Sequence, residues 1–140
     1  DEESESSSEE DASAVLESVS QEGEKIRVGK SDIWRFIIKS DNPAELRTKV
    51  MTVFDDVHVP KSTAGLSGFR APGGIQFDLL LAPSYVPALK SALQKVAPKN
   101  VESDLSRDNG VSETFTWYKT RSRRKLPEGR IRVVIWLSQI

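Results

Sequence analysis

The sequence predicts an α+β fold: a two-layer sandwich, ferredoxin-like in its βαββαβ order, with an additional C-terminal strand. Three observations carry that reading. Apolar residues alternate at period two in several short runs, among them residues 33–39 and 130–138. In two other stretches they recur at helical spacing, each opened by a proline. The runs succeed one another as strand, helix, two strands, helix, two strands, which suits two helices packed on one sheet.

The first strand is read at 33–39, where Trp34, Phe36 and Ile38 share a face. A helix start follows: Asn42 is a good N-cap, Pro43 suits the first helical position, and Glu45 stands where a capping box places its acid. Leu46, Val50, Val53, Phe54 and Val57 then form one stripe, with Arg47 and Lys49 off it and Pro60 at or past the helix end. Residues 66–71 are a short strand candidate. Pro72-Gly73-Gly74 turns it into 75–81, a run apolar on both faces at its end. The order strand, glycine loop, helix that a phosphate cradle needs is absent there, so the glycines read as a turn.

Pro83 and Ser84 open the second helix. Val86, Leu89, Leu93 and Val96 form its stripe, Lys90 and Lys95 point elsewhere, and Pro98 stops it. A polar stretch ends in the turn signal Asn109-Gly110. Strands at 114–120 and 130–138 close the chain, joined by a basic stretch that reads as a long hairpin loop.

Charge divides the chain. Residues 1–24 hold ten acids and no base, so the remaining residues, with 11 acids and 20 bases, carry a formal +9. The acidic part is rich in Ser and Glu and poor in large apolar groups, which predicts a disordered leader ahead of a single domain at 25–140. The other reading of the leader is an intramolecular mask lying on the basic body, with Val15, Leu16 and Val19 as its apolar turn. With no cysteine, disulfides and thiolate metal sites are excluded. A lone His58 argues against a histidine cluster, and no cofactor is called for. Neither a membrane span nor a signal peptide is evident, and a chain beginning at Asp1 reads as a processed product or a piece of something longer.

The basic stretch is the sharpest surface feature. Arg121, Arg123, Arg124 and Lys125 lie within five residues, flanked by Lys119, Arg130 and Arg132. Such a cluster suits an anionic surface or segment, or simply guards an exposed edge. Trp136 falls on the face opposite Ile131, Val133, Ile135 and Leu137, so it joins the candidate set if the far side of the sheet is uncovered. Asp55, Asp56 and His58 read as a polar helix end rather than a cation site, because adjacent carboxylates diverge on a helix. Asp78 points away from Phe77 and Leu79 and reads as exposed rather than catalytic.

The segment from Val59-Pro60-Lys61 through Gly73-Gly74-Ile75-Gln76-Phe77-Asp78 to Val86-Pro87-Ala88-Leu89-Lys90 resembles the region outside the membrane in bacterial membrane-anchored anti-sigma factors of the zinc-finger type. The resemblance spans about residues 30–138. It implies a small α+β domain beyond one span, with the zinc motif and the span upstream of Asp1 and the acidic leader as a stalk. It transfers no site residue. The expected function is therefore a non-enzymatic sensory or protein-interaction module, the extracytoplasmic part of a membrane-bound transcriptional regulator. Its expected partner is a protein, and a membrane enters only through an upstream anchor. The alternative is a nucleic-acid-binding ferredoxin-like domain that uses the basic stretch and the sheet aromatics.

Overall fold

A computed structural model describes residues 32–99 and 103–140. The acidic leader, with its mask reading, lies outside the described residues. The elements are β1 (Asp32–Ser40), α1 (Pro43–Val57), β2 (Phe69–Ala71), β3 (Gly74–Leu81), a 3₁₀ turn (Pro83–Tyr85), α2 (Val86–Val96), β4 (Asn109–Val111), β5 (Phe115–Arg121) and β6 (Ile131–Gln139). They form a two-layer α+β sandwich: one six-stranded mixed sheet in the order β2-β3-β6-β1-β5-β4, with both helices packed on one face.

Local chemistry explains the helix boundaries. Asn42 caps α1 by accepting from the Glu45 N–H at 3.2 Å. The box is completed differently from the sequence reading: the Glu45 carboxylate accepts from the Asn42 side-chain amide, and the Asn42 backbone N–H donates to Ser40 Oγ. At the other end His58 takes a left-handed conformation and donates to the Asp55 carbonyl, while Val59 donates to that of Phe54. The second helix starts later than Pro83, because Pro83–Tyr85 is a 3₁₀ turn that leads into it.

The core lies between the helices and one sheet face. Phe36, Ile38, Phe77, Leu79, Val133, Ile135 and Leu137 are fully buried there, together with Val50, Leu89 and Leu93 from the helices. Each such side chain contributes roughly 1.5–3 kcal/mol of transfer free energy. Phe36 stacks on both Trp34 and Phe115, and Phe54 meets Phe77 edge-on.

The last two strands differ from the expected hairpin. β5 and β6 are not neighbours; β1 lies between them, antiparallel to β5 and parallel to β6. Residues 122–130 are therefore a crossover connection spanning about 10 Å, twice the strand spacing. The physical reason is the composition of β6. It buries Ile131, Val133, Ile135 and Leu137 on the core face, and Val134 on the other. A strand of that kind gains most with a neighbour on each side, and β3 supplies the second, antiparallel one. Removing β6 from the order leaves β2-β3 and β1-β5-β4. The additional C-terminal strand is thus the middle of the sheet and not an appendage to it.

Two glycines permit close approaches. A Cβ on Gly74 would stand 1.9 Å from the Leu137 carbonyl oxygen. A Cβ on Gly110 would stand 2.3 Å from the Trp117 ring, so the predicted Asn109-Gly110 turn is instead a short edge strand pressed over an indole. Gly74→Ala and Gly110→Ala are each expected to lower unfolding free energy by about 1–3 kcal/mol, the range of overpacked sites. Urea denaturation followed by circular dichroism measures the loss.

Candidate binding face

Strand parity sends alternate residues to the sheet face that carries neither helix. Register places Phe69, Gln76, Trp136, Ile37, Thr116 and Val111 in one row across all six strands. The adjacent row holds Asp78, Val134, Arg35, Tyr118 and Asn109. Phe69 is 52% exposed, Val111 80%, and Leu80 further along the same face 43%. Trp136, Ile37 and Tyr118 are half-buried. Single exposed apolar residues are ordinary on a protein surface; Phe69, Trp136, Ile37 and Val111 in one row, with Gln76 and Thr116 between them, make a candidate contact surface. The Trp136 indole lies against Gly74, where a Cβ would come within 3.0 Å of the ring, and beside Gly73. The turn glycines thus make room for this aromatic.

The charges on this face are sorted by pairing. Arg132 holds Asp78 with two bonds, Nε to Oδ1 at 2.8 Å and Nη2 to Oδ2 at 2.6 Å. That hydrogen bonding raises the guanidinium above its ordinary value. Asp78 is thereby half-buried and paired, and Arg132 is committed within the sheet. Arg35 and Lys39 on β1 make no side-chain hydrogen bond or ion pair among the described residues.

The seven residues singled out in the sequence do not form one site. Arg123, Arg124 and Lys125 lie exposed in the crossover connection, whose start is pinned by Ser122 Oγ donating to the Arg124 carbonyl and accepting from its N–H. Arg121 ends β5 opposite Asp32, on the side of the sheet that faces the helices. Arg130 is exposed just before β6. Trp136 sits four residues beyond Arg132, about 13 Å along the strand. Only Arg132 and Trp136 project from the open face. Arg35, Ile37, Lys39 and Phe69 belong there and were missed, although the period-two rule that put Trp34, Phe36 and Ile38 on one side of β1 already puts their neighbours on the other.

A second constellation lies at the α2 edge. Lys90, expected to point away from the core, is only 7% exposed. Its ammonium stands 4.6 Å from the Trp34 ring centroid and 5.9 Å from that of Trp117. It donates to the carbonyls of Leu105 at 2.9 Å and Arg107 at 3.2 Å, and Trp117 Nε1 donates to the Arg107 carbonyl as well. Desolvation lowers the Lys90 ammonium below the ordinary lysine value, offset in part by Asp108, while Lys119 adds to the lowering. Lys119 in turn pairs with Asp108 at 3.3 Å and Asp32 at 3.8 Å. The arrangement fastens the segment before β4 to helix and sheet.

Elsewhere, Asp55 pairs with Lys61 at 2.9 Å, and Asp104 accepts from the hydroxyl and N–H of Ser106, which lower its carboxyl. Among the described residues no group of three or more His, Asp or Glu side chains is placed to hold a metal ion. A surface depression between Lys39, Pro98, Lys99 and Glu113 is crossed by the Lys99–Glu113 ion pair at 2.5 Å.

Lys90→Met is expected to cost about 1–3 kcal/mol, since the Leu105 carbonyl loses its donor while that of Arg107 keeps only the Trp117 indole N–H. It also changes the pH dependence. The folded state releases the Lys90 proton at lower pH than the unfolded chain does. Stability contributed by this group therefore rises as pH climbs from its folded value to the ordinary one. Chemical denaturation across that alkaline range should show a steeper rise for the parent chain than for the variant.

No protein-family model, no curated protein and no solved structure matches this chain.

Proposed function

We propose that the domain is a non-enzymatic protein-interaction module that docks its partner on the open sheet face. The observation that carries this reading is the row from Phe69 through Trp136 and Ile37 to Val111, exposed at its two ends and half-buried between them, on a face to which neither helix contributes. A partner that covers the row removes apolar surface from water and meets two unpaired cations, Arg35 and Lys39. The buried polar groups of the domain serve the fold: Lys90 fastens a loop, and Ser40 caps the approach to α1. In its wider setting the module is the extracytoplasmic part of a membrane-bound transcriptional regulator of the anti-sigma type, which holds or releases a partner or exposes its stalk to proteolysis. The resemblance of residues 59–90 to such proteins supports that setting. No helix among the described residues is long and apolar enough to cross a membrane, so an anchor would have to lie elsewhere.

One observation favours a second reading. Phe69, Trp136 and Tyr118 share the open face with Arg35 and Lys39, and bases stack on aromatic platforms of this kind while cations meet the phosphates.

Three measurements test these readings. Ile37→Asp combined with Trp136→Ala should leave the far-ultraviolet dichroism unchanged while abolishing photo-crosslinking from a benzophenone at position 69 to a protein partner in the native host. The reading frame upstream of Asp1 should encode one span and a zinc-finger motif; a frame without a span removes the regulator setting. Titration with oligonucleotides at low and high salt should show no salt-sensitive binding. Binding that is lost with Trp136→Ala would transfer the face to nucleic acid.

A further inference from the structure

We infer that the open face accepts an acidic, apolar segment, and that this chain supplies one in cis: residues 9–19. The inference rests on the reading of that face as a docking surface. It concerns what occupies the face when no other partner is bound.

The charge left on the face after internal pairing selects the occupant. The one acid in its two central rows, Asp78, is consumed by Arg132, and Arg35 remains unpaired there; Lys39, one row on and near Asp41 and Glu113, makes no side-chain ion pair either. A second copy of the chain is disfavoured, because face-to-face packing would bring two sets of these cations together. An acidic occupant meets them favourably. The chain places ten acids and no base in residues 1–24, against +9 in the rest. Within that acidic stretch the only large apolar side chains are Val15, Leu16 and Val19, with Glu9, Glu10 and Asp11 before them and Glu17 among them. Alkyl groups of that size suit the aliphatic part of the row, Ile37 and Val111, better than flat bases do.

Geometry permits the contact. Val19 lies thirteen positions before Asp32, the first residue of β1, and β1 itself carries Arg35, Ile37 and Lys39. Such a length of chain reaches at most about 45 Å. Six strands at their usual spacing span about 25–30 Å. Tethering also supplies a high effective concentration, so a weak contact suffices for occupancy. The occupant would then be displaced by a partner of the same character, by salt, or by cleavage of the segment.

The test uses the full chain. Amide and indole NMR signals of Ile37, Gln76, Thr116 and Trp136 are followed in the parent, in Val15→Ser/Leu16→Ser/Val19→Ser, and in Arg35→Glu/Lys39→Glu. The first variant lies outside the described fold, so it should still unfold cooperatively, with a melting temperature slightly below the parent's as the contact in cis is lost. Both variants, and 0.5 M salt on the parent (on the order of three times physiological ionic strength), should move the same open-face signals. The shifts should not depend on protein concentration. Glutamyl-endopeptidase cleavage after Glu17 should be several-fold faster in both variants than in the parent. Open-face signals that ignore the leader substitutions overturn the inference. If they then respond to an oligonucleotide or to protein concentration, the docking surface stands with a different occupant. If they respond to neither, and a benzophenone at position 69 captures no protein partner in the native host, the docking reading falls too.

Discussion

The parallel pairing of β1 with β6 is the constraint on which the rest of the molecule depends. It brings residues 99 positions apart into one register, Phe36 beside Ile135 and Ile38 beside Leu137. Those four side chains are inaccessible to solvent and form the floor on which α1 and α2 rest. Every other strand is arranged relative to this pair, with β5 and β4 on one flank and β3 and β2 on the other. Ladder hydrogen bonding accounts for the geometry, and the burial on the helix side accounts for the stability.

The same pairing decides what the other face can be. With both helices committed to one side, the far side keeps whatever the odd positions of β1 and the even positions of β3, β5 and β6 happen to carry. These positions are mixed in a consistent way. Near the crossover connection the residues pair among themselves, Arg132 with Asp78. Toward the other end Trp136, Ile37 and Val111 are apolar, Gln76 and Thr116 lie between them, and Lys39 makes no side-chain ion pair among the described residues. A surface merely kept soluble would scatter its apolar groups. Here register lines up Trp136, Ile37 and Val111 along one ladder row, and that alignment gives the face its character as a contact surface.

Much of the architecture was legible, because alternation and helical stripes report burial directly. The stripes of Leu46, Val50, Val53 and Phe54 and of Val86, Leu89 and Leu93 face the core as read, and the Asn42 cap and the turn at Gly73 are where the residues place them. Strand order was not legible. Periodicity tells which way a side chain points and says nothing about which neighbour it acquires, so two consecutive strands with a long loop read as a hairpin although β1 separates them. Lys90 was misread for a related reason. Its charge argues for solvent, yet two carbonyls and two indoles that are distant in sequence form a seat for it. On the open face, period two assigns Trp136, whereas Arg132 enters as a flank of the basic run. The conspicuous run Arg123 to Lys125 drew attention to a loop away from the apolar row.

The central position of β6 has a consequence for how the chain matures. Of the described elements it is the last to emerge from synthesis, and before it arrives the others constitute two separate pieces, β2-β3 and β1-β5-β4. The flank of β3 and the flank of β1 are then both unzipped, side by side, each offering a full ladder of unsatisfied amides and carbonyls. The nascent protein is at that stage a slot awaiting a strand. Any stray extended segment with alternating branched apolar residues competes for the vacancy, so this domain is most vulnerable to mispairing just before its final segment docks.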